Sequence, residues 1–160
     1  MSKNTNIILL SILLVLTISL SSAYIIEYAL GHKPCKLCIY QRYPYIISIL
    51  IILNIIIMKK YIKFSFLALA LVSFIGSVVA FYHFGIEQGF LSESLVCEAK
   101  NLDQNLSKED ILKQLSKNTI SCKTVTFRIF SLSLASINTI FSIVLFGIFL
   151  KLFRNYEKNK

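Results

Sequence analysis

Pro34-Cys35-Lys36-Leu37-Cys38-Ile39-Tyr40-Gln41-Arg42 lies between two long apolar runs, Asn6 to Leu30 and Tyr45 to Met58. Two thiols two residues apart close to a disulfide and open again. So small a ring constrains the unfolded chain little, and strain in the folded chain raises its reduction potential. A pair placed here suits electron transfer better than bracing. A helix starting near Leu37 sets Cys38 in its first turn and Arg42 on the same face four residues on. A helix N-terminus and a guanidinium both favour thiolate over thiol. The alternative for Arg42 is a side chain that snorkels to the lipid headgroups.

The rest of the chain is apolar to match. Of 160 residues, 56% are hydrophobic and 16% charged, which excludes an ordinary soluble domain of this size. The mean hydropathy is +0.69. Ile, Leu, Val and Phe arrive in blocks of membrane-span length, about 20 residues each. Four spans are expected, near 7–30, 38–58, 64–86 and 124–150. They are joined by an outer loop at 31–37, a basic turn at 59–63 and a long polar loop at 87–123, with a tail at 151–160. The first block also has the makings of a cleaved signal peptide, with Lys3 ahead of it and Ser21-Ser22-Ala23 as a small-residue site. Its apolar run continues past Ala23 to Leu30, so a retained span is expected. Glu27, near its outer end, reaches either water or Arg42.

Within the second span, Pro44 falls in an early turn, where its missing N–H does least harm. Tyr40, Tyr43 and Tyr45 suit an interfacial aromatic belt. Gly76 and Ser77 in the third allow a neighbouring helix to come close. Arg128 is expected one turn inside the fourth. In the long loop, Ser107-Lys108-Glu109-Asp110 reads as an N-cap with acidic first-turn residues. With Leu106, Ile111, Leu112 and Leu115 it predicts a short amphipathic helix. His32 reads as a solvated loop residue. No metal site is expected, because the sequence does not assemble four close Cys/His ligands.

The net charge of +9 would suggest nucleic acid in a soluble protein, but here its placement sets orientation, and no nucleic-acid partner is expected. The N-terminus, the 59–63 turn and the tail hold eight Lys/Arg against one acid, so they are expected in the cytoplasm. The 87–123 loop carries six acids and five Lys, so both cysteine-bearing loops are expected to face outward. Four Cys, two of them well separated in that loop, fit an oxidising compartment.

These residues resemble the DsbB family, bacterial inner-membrane thiol:quinone oxidoreductases. The resemblance covers essentially the whole chain. It rests on the Pro34 to Arg42 string, four spans, a second pair at Cys97 and Cys122, and Tyr82-His83 near the end of span three. It implies an all-α membrane protein, a four-helix bundle with two periplasmic cysteine-bearing loops. It implies that a periplasmic DsbA-like thioredoxin-fold oxidase attacks a Cys97–Cys122 disulfide at Cys97. Electrons then pass to Cys35–Cys38, and Cys38 hands them to a membrane quinone, ubiquinone or menaquinone, held near Arg42, His83 and Glu87. Exchange of this kind calls for an accessible disulfide on a mobile loop. Family members often carry Gln where Glu87 stands, and some branches carry Glu. Glu87 is expected either to pair with Arg42, to join His83 in proton uptake, or simply to cap the span.

Two other readings compete. A vitamin K epoxide reductase-like protein also joins helices to two Cys pairs, but its quinone-side Cys-x-x-Cys follows the other pair, whereas here it comes first. A non-catalytic membrane protein would use its cysteines as braces, worth about 3 kcal/mol for a loop such as 97–122. Against a transporter subunit, no span carries buried charge pairs or a broken-helix signature.

Overall fold

The computed structural model describes residues 3–92, 97, 122–123, 128–129 and 132–158. Its elements are α1 (Lys3–Tyr28), α2 (Lys36–Tyr40), α3 (Arg42–Met58), α4 (Ile62–Glu87), β1 (Arg128–Ile129), β2 (Leu132–Ser133) and α5 (Leu134–Lys158). Among the described residues, four stretches are long and apolar enough to cross a membrane: Asn4–Tyr28, Lys36–Met58, Ile62–Glu87 and Leu134–Tyr156. The protein is an all-α four-span bundle. The amphipathic helix expected at 107–115 lies outside the described residues.

One buried cluster shows how the helices run. It combines Leu9, Ile12 and Leu16 from early α1, Ile52 and Ile55 from late α3, Ile62 and Phe66 from early α4, and Phe149 and Leu152 from late α5. Successive spans are therefore antiparallel. The start of α1, the 59–61 turn and the end of α5 lie at one end, and the cysteines at the other. The turn is made by Lys59 and Tyr61, both in the left-handed region at φ of 50° and 54°. α4 is the most buried span and lies against both α3 and α5. The large apolar side chains left exposed, such as Leu14, Leu50, Phe74 and Ile140, are what a lipid-facing surface requires.

Two features of the second span shape the site. It is broken at Gln41, between α2 and α3. Pro44 has no N–H to return to the carbonyl four residues back, that of Tyr40, so the chain restarts its helix at Arg42 with Pro44 in the first turn. Gly76 of α4 then lets this corner come close: a Cβ there would stand 3.2 Å from Pro44 Cβ. Ser77 is also buried on this helix.

The fourth span differs from expectation. Its helix begins at Leu134, not near 124, and continues through the expected tail to Lys158. Ahead of it, β1 and β2 pair antiparallel, Arg128 opposite Ser133 and Ile129 opposite Leu132. Arg128 is thus in a strand outside the span. Ser133 is the physical stop: its hydroxyl accepts the Ser136 N–H at 3.2 Å, the N-cap arrangement that starts α5.

Candidate functional site

The thiol pair is held by the start of α2. Cys35 is the residue before the helix, in extended conformation, and its Sγ accepts the Cys38 N–H at 3.2 Å. Cys35 and Cys38 are free, with their sulfurs 2.6 Å apart. His83, one turn from the end of α4, brings Nε2 to 3.5 Å from Cys35 Sγ. The Cys35 thiol is lowered from the ordinary 9.0 to about 5. The hydrogen bond from Cys38 contributes most, the hydrogen bond and positive charge of His83 add to it, and burial opposes both.

This relocates the thiolate. The spacing pointed to Cys38 with Arg42 behind it. In the structure Arg42 is turned away into an ion pair with Glu27 of α1, and its guanidinium lies 4.7 Å from the centre of the Tyr24 ring. The groups that favour thiolate are gathered on Cys35 instead. Of the outcomes expected for Glu27, pairing with Arg42 is the one seen. Glu87 is placed against His83, Oε1 to Nε2 at 3.6 Å, and not against Arg42. Its side chain is buried, and Oε2 has no hydrogen-bond partner among the described residues.

A chain of amides fixes the other side of the imidazole. Tyr45 donates its hydroxyl to Asn138 Oδ1, and Ser142 Oγ reaches the same oxygen at 3.5 Å. Asn138 Nδ2 therefore faces Gln41 and donates to its Oε1 at 2.7 Å. That turns Gln41 Nε2 toward His83 Nδ1 at 3.0 Å. An amide N–H can only donate, so Nδ1 accepts, and a neutral His83 carries its proton on Nε2, toward Cys35 and Glu87. Sequence reading missed this chain. Tyr45 is half-buried with its ring 6.0 Å from that of Phe141, not simply part of an aromatic belt. The available signal was Asn138, the one carboxamide in the apolar run 134–150.

The second pair lies beside the first. Cys97 and Cys122 form a disulfide with Cα atoms 5.4 Å apart. They share one buried cluster with Cys35, Leu37 and Ile86, with Cys38, Val79 and Tyr82 packed against it. An accessible disulfide was expected, yet Cys97 and Cys122 are only 2% and 1% exposed. The apolar surface of Leu37 and Ile86 is what they cover.

Next to the cluster is a cavity of about 480 Å³ between α1, α3 and α5. Its walls are mostly apolar, including Ile18, Ala23 and Ile26 of α1 and Phe141 of α5, while Cys38, Arg42, His83 and Asn138 gather polar groups in it. The volume and the mixture suit a small, largely apolar ring compound with polar oxygens. A membrane quinone fits that description.

Comparison with known proteins decides the relationship. The family model for disulfide bond formation protein DsbB matches residues 5–152. The chain belongs to the DsbB family. An uncharacterized protein of Rickettsia prowazekii (strain Madrid E) is 31% identical over 159 residues, covering 98% of this chain and 90% of that protein. No solved structure matches. As a DsbB-family member the protein is a multi-pass inner-membrane oxidoreductase that forms disulfide bonds, in a family that uses quinones and a periplasmic redox partner.

Proposed function

We propose that the protein reoxidises a periplasmic DsbA-like dithiol protein and passes the electrons through its two cysteine pairs to membrane quinone. The observation that carries this reading is the shared cluster: Cys97, Cys122 and Cys35 are buried together, and Cys38 both packs on them and lines the cavity. The basic segments, gathered at the opposite end of the bundle, face the cytoplasm, and both cysteine loops face the periplasm.

A partner thiolate attacks Cys97, the Cys97–Cys122 bond breaks, and Cys122 leaves as a thiolate. The partner's second thiol then breaks the mixed disulfide, so the partner is oxidised and Cys97 and Cys122 are reduced. One of these thiols attacks the Cys35–Cys38 disulfide, and the other closes the outer disulfide again. Two electrons now reside on the inner pair. Cys35 is the better leaving sulfur, because the groups around it favour its thiolate. Quinone, when bound, supplies a two-electron, two-proton acceptor. Arg42, tethered by Glu27, would hold a polar oxygen of the acceptor in the cavity. His83 holds a proton at Nε2, and Glu87, one turn on, exchanges protons with it.

The deep burial of Cys97 and Cys122 favours one rival, a brace with no redox role. Thiol trapping separates the two. With Cys122→Ala, a stable mixed disulfide between Cys97 and a periplasmic dithiol protein is expected, and its absence would refute relay through Cys97. Glu87→Gln is expected to slow quinone reduction while exchange between the cysteine pairs continues. Unchanged quinone turnover would remove Glu87 from the site.

A further inference from the structure

Beyond the relay, the same corner holds the donors of a metal site. The sequence supplies only Cys35 and Cys38 close together, and the fold adds His83: the three ligand atoms lie within 4.8 Å of one another. A fourth donor stands next to them. Glu87 Oε1 is 3.6 Å from His83 Nε2, its side chain is 7% exposed, and Oε2 has no hydrogen-bond partner among the described residues.

The spacings can be compared with tetrahedral zinc. Bond lengths of about 2.3 Å to sulfur and about 2.1 Å to nitrogen and oxygen put neighbouring S and N about 3.6 Å apart, N and O about 3.4 Å, and two sulfurs about 3.8 Å. The Cys35–His83 separation of 3.5 Å and the His83–Glu87 separation of 3.6 Å already match. The sulfurs, 2.6 Å apart, must spread by about 1 Å, a side-chain rotation at Cys38, and the Glu87 carboxylate, which stands outside the three-residue group, must swing toward them.

We propose that the reduced inner pair, with His83 and Glu87, captures a thiophilic divalent cation such as Zn²⁺, and that this halts the protein until the ion is released. Binding displaces a proton from each thiol that still carries one and involves no electron transfer. The oxidised pair has no thiolate to offer, so capture is gated by redox state. Ligation through Nε2 requires His83 to carry its proton on Nδ1. The amide chain accommodates this by a half-turn of two carboxamides in place: if the Gln41 and Asn138 carboxamides each turn over, His83 donates to Gln41, Gln41 to Asn138, and Asn138 to the Tyr45 oxygen. The inference needs only that Cys35–Cys38 be reducible, and does not depend on the acceptor being quinone.

The test uses the full-length protein in detergent, with Cys97→Ala and Cys122→Ala so that one thiol pair remains, reduced and then freed of reductant. Zn²⁺ is titrated against a chelator, and Cd²⁺ is used as an optical probe through its thiolate absorbance. One ion per reduced chain is expected, and none in the oxidised chain. His83→Ala is expected to weaken binding by at least the roughly 10–100-fold that loss of even an outer partner of a metal ligand costs. The wild-type protein, fully reduced, is run in parallel in case the double variant does not fold, and the same His83→Ala loss is expected there. Equal affinity in oxidised and reduced chains, no binding by either reduced protein, or affinity indifferent to His83→Ala would each overturn the proposal. Quinone reduction measured in chelator tests the relay separately, so failure of one leaves the other standing.

Discussion

Gln41→Ala addresses the part of the site that links α3, α4 and α5. Gln41 is buried and makes two hydrogen bonds, accepting from Asn138 at 2.7 Å and reaching His83 Nδ1 at 3.0 Å. Truncation strands one donor and one acceptor. A buried polar group left unpaired costs about 1–3 kcal/mol, so two would cost about 2–6 kcal/mol in a dry site. Gln41 also lines the cavity, and the space vacated can admit water that rebonds part of the loss. The expected destabilisation is therefore near the lower end, about 2–3 kcal/mol, a fall in melting temperature of about 5–10 °C for a chain of this size. The functional loss follows from the imidazole. With nothing donating to Nδ1, the proton is free to sit on either nitrogen, and losing a preference of about 1.4 kcal/mol is a tenfold effect. Oxidation of the reduced inner pair by added quinone, followed in a stopped-flow instrument, is expected to slow by about tenfold, while exchange with a dithiol partner at Cys97 keeps its rate. Asn138→Ala should cost a similar amount, and the double variant much less than the sum, because both changes break one chain. Wild-type melting with wild-type quinone kinetics in Gln41→Ala, or strict additivity with Asn138→Ala, would refute the view that the amide chain sets the imidazole.

Three further outcomes are expected. Alkylation of Cys35 in the reduced protein, followed against pH with mass-spectrometric localisation, should show an inflection at about 5, well below the ordinary 9.0, and His83→Ala should move it upward. By linkage, this depressed thiol stabilises the reduced fold fully above the ordinary value of 9.0 and progressively loses that contribution as pH falls to about 5. An inflection near 9 in wild type would contradict the geometry. Glu27→Gln should destabilise the protein by about 1–3 kcal/mol, less than a fully buried pair because both side chains retain some exposure, and adding Arg42→Gln should recover part of it; recovery is read by thermal unfolding in detergent, and a double variant worse than either single would argue against the pairing. Gly76→Val should cost about 1–3 kcal/mol, since a Cβ there already stands 3.2 Å from Pro44 and the added methyls must push α3 off α4; an unchanged melting temperature would mean the helices part freely.

Much of the protein is written in local sequence. A hydrocarbon layer accepts only backbone whose hydrogen bonds close internally, so four apolar blocks dictate four helices without reference to partners. The Cys35 to Cys38 spacing fixes a thiol pair at a helix start for the same local reason, and Gly76 shows where a neighbour can approach. Other features depend on chain segments far apart in sequence. Spacing along one helix pointed from Arg42 to Cys38, but Glu27, fifteen residues earlier, draws the guanidinium aside, and His83, forty-eight residues after Cys35, takes up the thiolate. Asn138 meets Gln41 across ninety-seven residues. The start of the fourth span was misjudged because apolar content alone does not show where a two-residue ladder and a Ser133 cap hold the chain back. Sequence by itself determined the bundle and the pair of reactive sulfurs, since desolvation and ring size act locally. Tertiary structure alone decided which sulfur the thiolate-favouring donors face and what surrounds it, because electrostatic and hydrogen-bonding partners act through space.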